Sequence, residues 1–225
     1  MIVPQGYGIG GTSNRNVTRV IPINSIIFDH YASCSLSTQF PTIDTGQIII
    51  PVASDDPNCL KNFLDVVSKD TFKLYEFSFT GTFTSGATGT SPDDQIAVFA
   101  TTDVVNFTSQ EFGWVLPLNN NILWGYVQNG TGLPGGVFLY QEFVIQNPPD
   151  GLEHLFTARV ASISGTNTFF WYVDNILVNS INLALVPDYF NLPYHIVSTT
   201  HRTVGGWNSD AFQILIKSID YVYRI

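Results

Sequence analysis

Phe169-Phe170-Trp171-Tyr172-Val173-Asp174-Asn175-Ile176-Leu177-Val178 is the stretch from which the fold can be read. Two short apolar runs flank Asp174-Asn175. Both of these residues tolerate positive φ, so the pair predicts the tight turn of a hairpin. The first arm is apolar on both faces, with Phe169, Trp171 and Val173 on one and Phe170 and Tyr172 on the other. A strand of that kind is expected to be covered on both sides, inside a sandwich rather than at a wet edge.

The same period recurs on either side of it. Over Phe72–Thr84, Tyr75, Phe77, Phe79 and Phe83 alternate with Glu76, Ser78, Thr80 and Thr82. That pattern predicts a strand with one buried and one solvated face. Further strands are expected at Val20–Phe28, Gln47–Val52, Gln95–Thr102, Glu111–Leu118, Ile122–Gln128, Val137–Gln146, Glu153–Ile163, His195–Thr200 and Ala211–Ile225. Asn119-Asn120-Asn121 turns one of them into the next. Pro57–Val67 places Leu60, Phe63, Leu64 and Val67 at helical spacing and is the only helix expected, a short one. The last strand switches parity: Phe212, Ile214 and Ile216 are apolar at even positions, then Ile219, Tyr221, Tyr223 and Ile225 at odd ones. A β-bulge near Lys217-Ser218 would let both sets face inward. No helix alternates with these strands, so the fold expected is an all-β, antiparallel two-sheet sandwich.

Composition agrees. The chain has 225 residues, which suits one large all-β domain. Aromatics make up 14% and charged residues only 12%, against a usual quarter or so. Ser, Thr and Asn supply the polarity instead. The net charge of −9 and the scatter of only nine Lys and Arg argue against a phosphate backbone as partner. No apolar run approaches the length of a membrane span. The opening Met-Ile-Val-Pro-Gln-Gly lacks the basic and apolar regions of a secretory signal. Either a signal has been removed or the protein leaves the cell without one, as a virion component does. Residues 1–20, with Gly6, Gly8, Gly10 and Gly11, predict an arm ordered by a partner, and residues 21–225 a single sandwich domain. Cys34 and Cys59 fit neither a zinc site nor a redox pair. They are two buried thiols or one disulfide, which would close a loop of about 25 residues and contribute roughly 3 kcal/mol.

Tyr172-Val173-Asp174-Asn175, followed by Leu177-Val178, resembles the "YVDG-x-LV" hairpin of concanavalin A-like sandwiches. That superfamily holds legume lectins, laminin G-like domains and family 16 glycoside hydrolases. The closing Ile219-Asp220-Tyr221-Val222-Tyr223-Arg224-Ile225 is similar to the last strand of family 16 hydrolases. Phe77–Phe99, with Pro92-Asp93-Asp94-Gln95-Ile96-Ala97, looks like the "P-A-D-G-L-A-F" region of legume-type lectins. The resemblance implies a concanavalin A-like jelly roll, with Asp94 in the place of the aspartate that hydrogen-bonds sugar hydroxyls. The lectins' metal-binding carboxylate cluster has no match, and no cofactor is implied. The family 16 signature Glu-x-Asp-x-x-Glu is absent.

The residues themselves leave little else for chemistry. The chain has four Glu: Glu76, Glu111, Glu142 and Glu153. Glu111 and Glu142, each within Gln-Glu-Phe, could face one groove. Hydrolysis of a glycosidic bond needs two such carboxylates. His30, His154, His195 and His201 form no metal-binding motif. Of the four Trp, Trp114, Trp124 and Trp171 sit in apolar strands and read as core. Trp207, in Gly205-Gly206-Trp207-Asn208-Ser209-Asp210, reads as a sugar-stacking platform. The ligand site expected is therefore Asp94, Trp207 and Asp210 at one loop end. Asn16, Asn106 and Asn129 head glycosylation sequons.

These readings add up to a non-catalytic surface or structural protein of a virion or cell envelope, with glycan or other protein subunits as partners and an oligomer formed through the arm. The alternative is a glycoside hydrolase or polysaccharide lyase with an unrecognised active site. The fold alone does not choose between them.

Overall fold

The structure, a computed structural model, describes residues 16–21, 29–32, 42–51, 61–65, 72–84, 95–101, 111–117, 122–129, 139–146, 149–163, 166–183, 193–201 and 213–224. Every ordered element among them is a β-strand, and all pairings are antiparallel. The expected antiparallel two-sheet sandwich is what forms.

The back sheet runs β13 (Ile176–Leu183), β12 (Thr166–Val173), β11 (His154–Ile163), β6 (Phe72–Phe83) and β15 (Gln213–Arg224). Along the far edge of β15 lie β4 (Gln47–Pro51) and β1 (Asn16–Ile21), and β3 (Thr42–Asp44) pairs with β4. The front sheet runs β10 (Leu139–Gln146), β9 (Leu123–Asn129), β8 (Glu111–Pro117), β7 (Gln95–Thr101), β14 (Pro193–His201), β5 (Lys61–Asp65) and β2 (Asp29–Ala32). Pro193-Tyr194 at the start of β14 also pairs with Lys73-Phe72 of β6, which ties the two sheets together.

The core fills the space between them with aromatic rings. Phe77 and Phe79 of the back sheet meet Trp114 of the front sheet edge-on, each at 5.4 Å between ring centroids. Phe112 meets Phe169 at 5.3 Å, and Phe143 meets Trp171 at 4.7 Å. Rings at such offsets add attraction beyond the area they bury. Trp171 satisfies its Nε1–H by donating to the Gly113 carbonyl across the core at 2.9 Å.

The hairpin between β12 and β13 turns as its sequence requires. Asp174 and Asn175 both take positive φ, 51° and 65°, as a two-residue turn matched to strand twist demands. The parity switch in β15 is also resolved as expected. The register against β6 shifts between Ile216 and Ser218, and Ile214, Ile216 and Ile219 are all buried.

Three expectations need revision. Lys61–Asp65, inside the expected helix, is strand β5. It is hydrogen-bonded on both edges, to β2 and to β14, and that pairing outweighs an apolar spacing that served either structure. Residues 16–20 of the expected arm pair with β15 of their own chain, Asn16 opposite Arg224, while residues 1–15 lie outside the described residues. β12 is covered fully on one face only: Phe169 and Trp171 are buried, whereas Phe170, with Arg159 over its ring, and Tyr172 are only partly buried.

Candidate functional site

Asp94, Trp207 and Asp210, the expected ligand residues, and Cys34 and Cys59, the expected thiols or disulfide, all lie outside the described residues. What the structure does place is the outer face of the front sheet. Facing positions there follow from register. Thr101 pairs with Glu111, Phe99 and Tyr126 with Gly113, and Ala97 and Trp124 with Val115. Directly opposed residues share a face. Thr101, Glu111, Gly113, Val115, Trp124 and Tyr126 therefore lie on one side. Phe112, Trp114 and Leu116 alternate to the core side, where they are fully buried.

By register this face carries Glu111, Glu142, Asp65 and Asp29, and Glu111 is the one whose surroundings are described. It is only 4% exposed. Thr101 Oγ1 donates to its Oε1 at 3.2 Å in a buried contact. Tyr126 is also buried, and burial together with the nearby Glu111 charge pushes its phenol well above the usual value. Tyr126 therefore stays a neutral hydroxyl beside the carboxylate. Ala97, Phe99, Val115 and Tyr126 form a small apolar cluster on the same face, and Trp124 packs against it, partly buried. Trp124 is thus not part of the sandwich core, where its apolar strand placed it, whereas Trp114 and Trp171 are.

Gly113 lies between Glu111 and Val115. A Cβ there would fall 2.4 Å from the Val98 carbonyl oxygen and 2.6 Å from Phe99 Cα. Neighbouring backbone occupies that space, so no side chain fits. From Glu111 the strand reads Glu-Phe-Gly-Trp-Val-Leu. The signature Glu-x-Asp-x-x-Glu is not present there, with Gly113 and Leu116 where its second and third acids would follow Glu111.

Glu142 shares the outer face by register, because Tyr126 is the partner of both Gly113 and Glu142. Two strand spacings and a two-residue offset put its Cα about 12 Å from that of Glu111. Among the described residues no cluster of His, Cys, Asp and Glu is arranged to hold a metal ion. His195 and His201 sit on β14 opposite Thr101 and Gln95.

A second polar constellation lies at the rim of the back sheet. His154 Nδ1 contacts Asp174 Oδ2 at 2.6 Å, and its Nε2 contacts Asp150 at 3.1 Å. The hydrogen bond to Asp174 holds the imidazole pKa above its ordinary value, with Asp150 adding to the effect against the cost of burial. Asp174 accepts from the Leu155 backbone N–H at 2.9 Å and has its own N–H bonded to the Leu155 carbonyl. The Leu155 bond and His154 together lower its carboxyl pKa. Both ring nitrogens are engaged, so this cluster pins the hairpin turn to β11 and offers no open ligand position. Glu153 pairs with Lys217 close by.

No protein-family model matches the chain, and no curated protein matches it in sequence. Solved structures do match in fold. A non-specific endo-β-1,3(4)-glucanase from family GH16 superposes with a TM-score of 0.61 at 8% identity, covering 96% of this chain and 98% of that one. An endo-1,3-beta-glucanase from Streptomyces sioyaensis gives 0.57 at 10% identity, covering 96% and 99%. The laminarinase catalytic domain of Thermotoga maritima gives 0.53 at 15% identity, covering 84% and 82%. The expected reading as a non-catalytic structural or surface protein is corrected by this finding, since the neighbours are glucan-cleaving enzymes and favour the glycoside hydrolase alternative. Low charge and abundant Ser, Thr and Asn had suggested a particle surface, yet they mark a large antiparallel sandwich of any function. Identities this low establish architecture: the chain has the concanavalin A-like jelly-roll sandwich.

Proposed function

We propose that this protein is a glycoside hydrolase acting on a β-glucan at the outer face of the front sheet, with Glu111 as a reacting carboxylate. The observation that carries the reading is the setting of Glu111: at the start of β8, desolvated, held by the Thr101 hydroxyl and flanked by the neutral Tyr126 phenol. A desolvated, hydrogen-bonded acid on a sheet face is unusual unless it has work to do. The fold neighbours, named as glucanases, support the same substrate class.

Cleavage of a glycosidic bond needs a second carboxylate. Glu142 is the partner proposed, from its shared face and its backbone separation of about 12 Å. Asp94, Trp207 and Asp210 remain proposed contacts to flanking sugars.

The test is reducing-sugar release from β-1,3-, β-1,4- and mixed-linkage glucans. Glu111→Gln and Glu142→Gln should each lower the rate by about 10²–10⁴-fold, the scale of a lost acid or base. No release from any glucan, or full activity in Glu111→Gln, overturns the proposal.

A further inference from the structure

A sheet edge leaves a row of backbone donors and acceptors open to another strand, and charged side chains on the edge discourage that pairing. Among the described residues β1, β2, β3, β10 and β13 each have a strand on one side only. Four of these edges carry a charge: Arg19 on β1, Asp29 on β2, Asp44 on β3 and Glu142 on β10. β13 reads Ile-Leu-Val-Asn-Ser-Ile-Asn-Leu, with neither a charge nor a proline. It is also apolar where it is open. Ile176, Leu177 and Val178 are 70%, 50% and 40% exposed in succession, so apolar groups meet water on both faces of the strand.

The backbone of β13 supplies the second observation. The Ser180 N–H donates to Oδ1 of its own neighbour Asn179 at 2.8 Å. An antiparallel ladder uses every second residue of a strand, so a donor held by a side chain is one that points away from β12. Ser180 therefore marks the open side of the edge. The one guarding device present is a bulge at Val178, where the register against β12 shifts between Trp171 and Tyr172. Asn179–Leu183 beyond it stays in regular register and can take a further strand.

We propose that β13 pairs antiparallel with β13 of a second copy of this chain, about a two-fold axis at Ser180, and joins two back sheets into one. Charge selects this edge for a second copy. Two chains of net charge −9 repel each other, and β13 is the described edge that brings no charged side chain into the contact. Symmetry fits as well. An antiparallel edge is complementary to its own image under a two-fold axis, and such a contact closes at two chains. Ser180 then faces the other copy's Ser180, and their N–H and C=O groups exchange hydrogen bonds once Asn179 lets go. Each Ile176-Leu177-Val178 run covers the far end of the other β13. The pairing lies on the back sheet and is independent of the glucan reading.

Sedimentation equilibrium of the full chain tests it. One strand pair falls short of the roughly 1,000 Å² of a tight interface, so a weak dimer with Kd of about 10–100 µM is expected. The mass should rise from one chain to two across that range. Ser180→Pro removes the outward donor without touching the ladder to β12 and should weaken the dimer about tenfold or more. Val178→Lys adds an edge charge at an exposed position, should do the same, and serves if the proline variant unfolds. Val144→Lys, on the exposed edge of the front sheet, should leave the dimer unchanged. A single-chain mass at every concentration means that the edge stays open or takes another partner, and overturns the proposal. So does a dimer that survives Val178→Lys, or one that Val144→Lys weakens equally.

Discussion

β12 and β8 face each other across the core, joined where Trp171 donates to the Gly113 carbonyl. In the sequence β12 is the greasier of the two, with large apolar residues at every position from Phe169 to Val173. β8 carries Glu111 and Gly113 on one side. In the molecule the order reverses. β12 buries Phe169 and Trp171 and leaves Phe170 and Tyr172 only partly buried, whereas β8 is buried on both faces from Glu111 to Leu116. Apolarity on both faces shows that a strand can be covered twice. Burial of an acid shows that a strand is covered twice at a cost, and such a cost points to a site.

The largest expected effect tests the half-covered strand. Trp171→Ala should cost about 3–5 kcal/mol of unfolding free energy, because it opens a cavity and removes the hydrogen bond to the Gly113 carbonyl. Tyr172→Ala, on the other face, should cost roughly half as much or less, since less area leaves water there. Urea unfolding of both variants measures the difference. Equal losses would mean that the outer face of β12 is covered in solution.

The next effect tests the doubly covered strand. Gly113→Ala sets a methyl against fixed backbone of β7 and should cost about 1–3 kcal/mol. Gly125→Ala meets only the Phe143 ring, a side chain that can swing, and should cost less. A neutral Gly113→Ala would show that β7 and β8 separate readily and that the site is looser than described. Smaller again is Thr101→Val, which removes the hydroxyl donated to Glu111. It should cost about 1 kcal/mol and lower activity without changing substrate preference.

How much of this was legible depends on where the determining chemistry lies. The Asp174-Asn175 turn could be read because positive φ is decided by the residues themselves. The β15 bulge could be read because seven apolar residues cannot share one face without it. β5 could not, because five residues of mixed polarity acquire their conformation from β2 and β14, which are distant in sequence. Trp124 was misassigned to the core for a related reason. β9 is apolar on both sides, and only the Phe143 ring seated over Gly125 determines which side is inner. The candidate site was half-legible: Glu111 and Glu142 were named, but the shared face came from register alone.

The smallest effect belongs to the hairpin turn that makes β12 readable. His154 holds Asp174, and Asp174 holds the Leu155 backbone, so charge on both side chains favours the folded turn. The His154 pKa is raised above its ordinary 6.5 on folding. Its contribution is therefore complete below pH 6.5 and is lost as pH rises through the folded value. The Asp174 pKa is lowered below its ordinary 3.8. Its contribution is complete above pH 3.8 and is lost as pH falls through the folded value. The two together give a window of best stability between about pH 4 and 6.5. Asp174 is half exposed and the His154 contacts lie at the sheet rim, so screening keeps the effect small, a few degrees in Tm. His154→Gln should flatten the upper flank and leave the lower one, where Asp174 still accepts from Leu155. Melting curves of the two proteins across pH measure this. A wild-type upper flank that persists in His154→Gln would place the titrating group elsewhere and detach the turn from its histidine.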